Sequence, residues 1–106
     1  HPRGHGAFAR KLAVYVRERG VVTLEDAVRA ATSAPAQVFG LKDRGLLREG
    51  ACADIIVFDP QTVIDRATYD DPFLFATGMR WVLVNGRLAL DEREATGVLA
   101  GVVLRK

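Results

Sequence analysis

Side chains able to do chemistry are few in this sequence. Its two histidines, His1 and His5, lie four apart in the segment His1-Pro2-Arg3-Gly4-His5-Gly6. A hydrolytic metal ion needs several His, Asp, Glu, Cys or carboxylated Lys donors converging on it, and a base beside its bound water. No acidic residue stands near either histidine, and Pro2 with two glycines predicts an extended or turning segment without helical spacing. The pair reads as surface histidines, and no metal site is expected within these residues. Cys52, the only cysteine, stands between alanines with no His-Asp or His-Asn group to activate it, so it reads as a small core residue. Asp54 and Asp59 flank an apolar run; in an extended chain they lie about 17 Å apart, too far for an acid and base acting on one bond. Capping of the adjoining turns is the better role for them. Arg44 and Arg48 read as solvated turn residues, and Gly4-x-Gly6 lacks both the preceding strand and the third glycine of a dinucleotide fingerprint. No catalytic residue emerges.

The elements around these residues change character along the chain. From Ala7 to about Arg19, Phe8, Leu12 and Tyr15 recur at helical spacing, with Ala9, Ala13 and Val16 widening the stripe and Arg10, Lys11, Arg17 and Glu18 largely opposite. Gly20 suits the end of that helix. Thr23 is a good N-cap with Asp26 three residues on, opening a second helix to about Thr32 whose apolar face carries Leu24, Ala27, Val28 and Ala31. Pro35 fits the first turn of a short third helix ending at Phe39, with Gly40 as its cap.

Beyond Gly40 the pattern turns to strands and reversals. Gly45 to Pro60 is built around Ile55-Ile56-Val57-Phe58, a run too apolar to alternate and too short for a helix, which predicts a central strand buried on both faces. Leu46-Leu47 is a candidate short strand. Residues 61 to 79 receive no firm assignment, although Phe73-Leu74-Phe75 could cover apolar surface. Trp81 to Val84, Asn85-Gly86 and Arg87 to Leu90 form the clearest hairpin, because Asn-Gly readily takes the positive φ angles of a type I′ turn. Asp91 to Glu94 reads as a solvated turn, and Val102-Val103-Leu104 as a last strand or an extended tail.

Composition sets wider bounds. At 106 residues the chain makes one small domain at most, and 49% hydrophobic with 26% charged residues is ordinary globular balance. No apolar run approaches the roughly 20 residues that span a bilayer, and no signal-peptide pattern opens the chain. The lone cysteine predicts a reducing, cytoplasmic setting. A net charge of +2 hides an asymmetry: residues 1–20 hold five basic side chains against one acidic.

Recognition comes from Gly45-x4-Gly50-x2-Ala53-Asp54-Ile55-Ile56-Val57-Phe58-Asp59 followed by Val82-Leu83-Val84-Asn85-Gly86, which resembles the end of metal-dependent amidohydrolases. His1-Pro2-Arg3, Leu24-Glu25-Asp26-Ala27 and Thr32-Ser33-x-Pro35-Ala36 extend the likeness to the N-acyl-D-amino-acid deacylase (D-aminoacylase) branch, over essentially the whole chain. The resemblance implies an α+β arrangement in which residues 1–40 are the last helices of a catalytic (β/α)8 barrel and 41–106 the C-terminal part of a composite antiparallel β-domain. It implies a fragment of an enzyme, which the His-Pro start without methionine also suggests. The zinc ligands and the catalytic aspartate of such enzymes would then lie upstream, so zinc belongs to the parent enzyme and not to these residues. Arg3 is the one position the resemblance marks for substrate binding, since a bidentate guanidinium suits the α-carboxylate of an N-acyl amino acid.

The expected role is thus a portion, non-catalytic alone, of an enzyme that hydrolyses N-acyl-D-amino acids, with the remainder of the amidohydrolase chain as partner and neither nucleic acid nor membrane. An alternative is an independent interaction module that uses a helix face or strand edge. Nucleic-acid binding through Arg10, Lys11, Arg17 and Arg19 lacks stacking aromatics and any recognition motif. Missing barrel and β-domain neighbours would leave apolar stripes and strand edges bare, so the isolated chain is expected to form a homo-oligomer.

Overall fold

The computed structural model describes residues 1–105. Helix α1, Arg3–Arg10, begins at once and runs unbroken into π-helical turns over Lys11–Glu18. The opening segment is therefore not extended, as its proline and glycines predicted. Pro2 itself adopts helical angles (φ −56°, ψ −25°) at the cap, where its fixed φ suits helix initiation and its missing N–H costs nothing. Gly6 has a packing reason to lack a side chain: a Cβ there would meet the Cβ of Asp65 at 2.8 Å.

The helix buries only part of the expected stripe. Ala9, Leu12 and Ala13 are enclosed with Val16 packed beside them, whereas Phe8 and Tyr15 are exposed. Small residues face inward because the helix lies close to the segment around Val63, and the large rings stand on the uncovered side. Helix α2 is Leu24–Ala31, and Thr23 Oγ1 accepts from Asp26 N at 3.1 Å while its hydroxyl donates to Asp26 Oδ2, as the N-cap reading anticipated. Helix α3, Ser33–Phe39, carries Pro35 in its first turn and ends on Gly40 at φ 70°.

Four antiparallel strands follow in the spatial order of the sequence: β1 Ile55–Phe58, β2 Met79–Val84, β3 Arg87–Asp91 and β4 Glu94–Ala95. The central-strand expectation for Ile55–Phe58 is corrected. β1 pairs only with β2 and forms an edge of the sheet, with Ile56 and Val57 exposed. A continuous apolar run marks a strand that favours cover on both faces, and residues 1–105 supply cover on part of it only. The Asn85-Gly86 hairpin is present, both residues having positive φ. The solvated turn expected at Asp91 to Glu94 is present at Glu92-Arg93, both residues taking left-handed angles without a glycine, and it leads into the short strand β4, which the sequence did not signal. Leu46-Leu47 forms no strand, and residues 96–105 form neither helix nor strand.

The core joins the two regions. Ala9, Leu12, Ala27 and Val63 make its buried centre, with Leu24 from α2, Phe58 from β1 and Met79 from β2 packed around it. Val63 is fully enclosed. Gly78, at φ 86°, lies so close that any Cβ would overlap the Val63 backbone. The sheet is thereby clamped to the helices.

Candidate functional site

The first turn of α1 is where side chains capable of chemistry gather. Its free backbone donors are all engaged. Arg3 N–H donates to His1 Nδ1 at 3.1 Å, Gly4 N–H to His1 O, and both His5 and Gly6 N–H to Pro2 O. A helix N-terminus otherwise offers such groups to an anion; here they are spent within the turn. The Arg3 side chain is different. It is exposed and makes no hydrogen bond or ion pair among the described residues.

A loop from later in the sequence packs against this turn. Residues 65–76 leave and return through the paired residues Ile64 and Thr77, which exchange backbone hydrogen bonds of 3.0 and 2.9 Å. Within the loop, Thr68 N donates to Asp71 O and Asp71 N to Thr68 Oγ1, making Tyr69-Asp70 the tip of a tight turn. Tyr69 Oη lies 3.2 Å from His1 Nε2, and the rings of Phe73 and Phe75 both meet His5 edge-on at 5.8 and 5.6 Å. Asp65 packs on Gly6 and pairs with Arg10 at 3.4 Å. Because Nδ1 of His1 accepts the Arg3 N–H, that nitrogen carries no proton; the ring is the neutral Nε2–H tautomer and donates to Tyr69 Oη.

These contacts also decide the fit to a metal. Both nitrogens of His1 are occupied, His5 is packed between two phenyl edges, and among the described residues no three His, Cys, Asp or Glu side chains converge. This donor set does not suit zinc.

The acidic and sulfur groups singled out in the sequence serve the fold. Asp54 Oδ1 accepts from Asn85 N at 2.8 Å and its other oxygen pairs with Arg44, while Asp59 Oδ1 accepts from Gln61 N at 2.8 Å. The Asn85 N–H above all, with Arg44 adding, holds the Asp54 carboxyl below the usual carboxylate range against the opposing effect of burial. Arg44, expected to be solvated, is only 13% exposed and also donates to Asn85 Oδ1 at 2.7 Å. Asn85 Nδ2 in turn donates to Ala100 O, fastening the last residues to the hairpin. Cys52 Sγ donates to Asp43 Oδ2, which together with burial pushes the thiol up, away from the nucleophilic thiolate. Arg17 is likewise spent inside, on the carbonyls of Pro60 and Val63 at 3.0 and 2.8 Å, so the basic face of the first helix is weaker than its sequence.

Sequence reading singled out Arg3 as a candidate and missed the loop beside it, whose Tyr69 reaches His1 across 68 residues. One signal was present. Three of the eight aromatic residues, Tyr69, Phe73 and Phe75, fall within seven positions.

The pattern defining the Amidohydrolase family matches residues 1–89. N-acyl-D-glutamate deacylase of Alcaligenes xylosoxydans xylosoxydans is 57% identical over 86 residues, 81% of this chain and 18% of the relative. The crystal structure of N-acyl-D-glutamate deacylase from Bordetella bronchiseptica, complexed with zinc and a phosphonate inhibitor, superposes with a TM-score of 0.83 at 54% identity over 84% of this chain and 19% of that one. The structure of D-aminoacylase gives 0.96 at 43% identity over all of this chain and 22% of its own. The chain spans about a fifth of the length of the relatives it matches.

Proposed function

The chain belongs to the amidohydrolase family, and we propose that residues 1–106 are the C-terminal portion, non-catalytic alone, of a zinc-dependent N-acyl-D-amino-acid deacylase. In this reading residues 1–40 are the last helices of its barrel and 41–106 the C-terminal part of its β-domain. Such an enzyme cleaves the amide bond of an N-acyl-D-amino acid, releasing a carboxylate and a D-amino acid, in the cytoplasm.

The observation that carries the reading is Arg3 itself: an exposed guanidinium without a partner among the described residues, on a turn whose backbone donors are already satisfied. A free guanidinium in a deacylase has an evident counterpart in the α-carboxylate of the substrate, which it grips through two parallel hydrogen bonds. The donor set here does not fit zinc, so the metal and the base that activate water belong to the remainder of the enzyme. The division of labour is simple: these residues hold the substrate by its carboxylate, and the rest of the chain cleaves it.

Arg3→Ala in the full-length protein tests the assignment. Loss of a bidentate charged contact raises KM for N-acetyl-D-amino acids by roughly ten- to a hundredfold. An unchanged KM contradicts it. The open edge of β1 supports a second reading, an interaction module that folds alone; a stable monomeric fold from residues 1–106, indifferent to upstream sequence, would favour it.

A further inference from the structure

The role of Arg3 leaves open what holds it in place, and the loop 65–76 supplies an answer. That loop is pinned at its base by the Ile64 and Thr77 pairing and tightened at its tip by the Thr68 and Asp71 hydrogen bonds. It touches α1 and the residues that open it at three separate places: Tyr69 on His1, Phe73 and Phe75 on His5, and Asp65 on Gly6 and Arg10. Asp65 comes so near Gly6 that no side chain fits between them. Of the three contacts, the first leads directly to Arg3. Tyr69 Oη accepts from His1 Nε2–H, the opposite nitrogen of that ring accepts the Arg3 backbone N–H, and the ring of His1 also lies edge-on to that of Tyr69 at 5.2 Å.

A histidine at such a place rotates and changes tautomer unless its second nitrogen is fixed, and the hydrogen bond made by one nitrogen sets the state of the other. We propose that Tyr69 and His1 are positioning residues for carboxylate recognition: Tyr69 fixes the His1 ring in the tautomer that caps Arg3, and so sets the direction in which the guanidinium leaves the helix. The inference rests on the substrate role of Arg3. It adds that specificity for a free carboxylate depends on a tyrosine 66 positions away. A long flexible side chain grips a planar anion well only when its backbone is held, since each rotor frozen at binding lowers affinity. Because the phenol accepts from the imidazole, its own O–H remains available as a further donor.

The test is made in the full-length enzyme with the best substrate from a panel of N-acetyl-D-amino acids and the carboxamide of that substrate. Tyr69→Phe and His1→Ala each raise KM for the acid by about fivefold, the worth of one hydrogen bond. They leave KM for the carboxamide nearly unchanged, so the preference for acid over amide shrinks. His1→Asn, whose side-chain oxygen can accept the Arg3 N–H, recovers most of the His1→Ala loss. Thermal melting of each variant separates loss of fold from loss of position. Wild-type KM and preference in Tyr69→Phe and His1→Ala, with Arg3→Ala still defective, overturns the inference and leaves the Arg3 role standing. Equal KM in Arg3→Ala and wild type overturns both. A His1→Asn variant no better than His1→Ala, or a lowered melting temperature with unaltered preference, also overturns it.

Discussion

Asp54 shows how a residue that looks catalytic can belong to the fold. Its carboxylate accepts the Asn85 N–H and pairs with Arg44, and these favourable contacts to the charged form lower its pKa. A lowered folded pKa gives stability that is fully present above the unfolded value of about 3.9 and is lost as pH falls through the folded one. Asp54→Asn should therefore cost roughly 1 kcal/mol at pH 7, the modest figure suited to a partly exposed group. The difference should vanish in acid, below the folded pKa, and urea unfolding of the two proteins across that range checks the sign. Asn85 deserves a variant of its own kind. It combines φ 48° with a hydrogen bond to Ala100 O, so Asn85→Ala should loosen residues 96–105 and speed their proteolysis, while Asn85→Gly removes the strain but not the loosening. The capping role of Asp59 was legible from its place beside a turn, whereas Asp54 was expected to cap an adjoining turn and instead accepts from Asn85, 31 residues away. The burial of Arg44 was not legible, because its partners Asp54 and Asn85 meet only after the hairpin has folded back.

Elements announced themselves in the sequence where local chemistry decides, and stayed hidden where distant contacts do. The Asn85-Gly86 hairpin, the Thr23 cap and the Gly40 stop were all readable, since each needs only its own few residues. The early start of α1 was hidden because its first N–H, that of Arg3, is taken by a histidine ring held by a distant tyrosine, and Gly6 is required by Asp65 from far along the chain. Residues 61–79 resisted assignment for the same reason: their order comes from docking on α1. Gly78 carries the sharpest consequence. At φ 86° and against the Val63 backbone it admits no side chain, so Gly78→Ala should destabilise by roughly 3 kcal/mol or more through strain and overlap. Val63→Ala, which empties a fully enclosed site, should cost about 2 kcal/mol. Chemical denaturation of the full-length protein ranks them, and a milder effect for Gly78→Ala than for Val63→Ala would contradict the packing described here.

At the scale of the whole molecule, many large apolar side chains stand bare among the described residues. Phe8, Phe73, Phe75, Leu47, Leu99 and Val103 all stand out of the core, and β1 presents an unpaired edge among the described residues. Surface of that kind seeks cover from other parts of a longer chain or from another copy. Expressed alone, residues 1–106 should self-associate at micromolar concentration, and sedimentation showing only monomer would count against the proposed division of the enzyme. No helix among the described residues is long and apolar enough to cross a membrane. The most direct test of the central claim, that this polypeptide holds substrate but neither metal nor water-activating base, is zinc analysis of residues 1–106 alongside a deacetylation assay. We predict no stoichiometric zinc and no turnover from these residues, with both present in the full-length protein; one zinc per chain with turnover from residues 1–106 alone would contradict it.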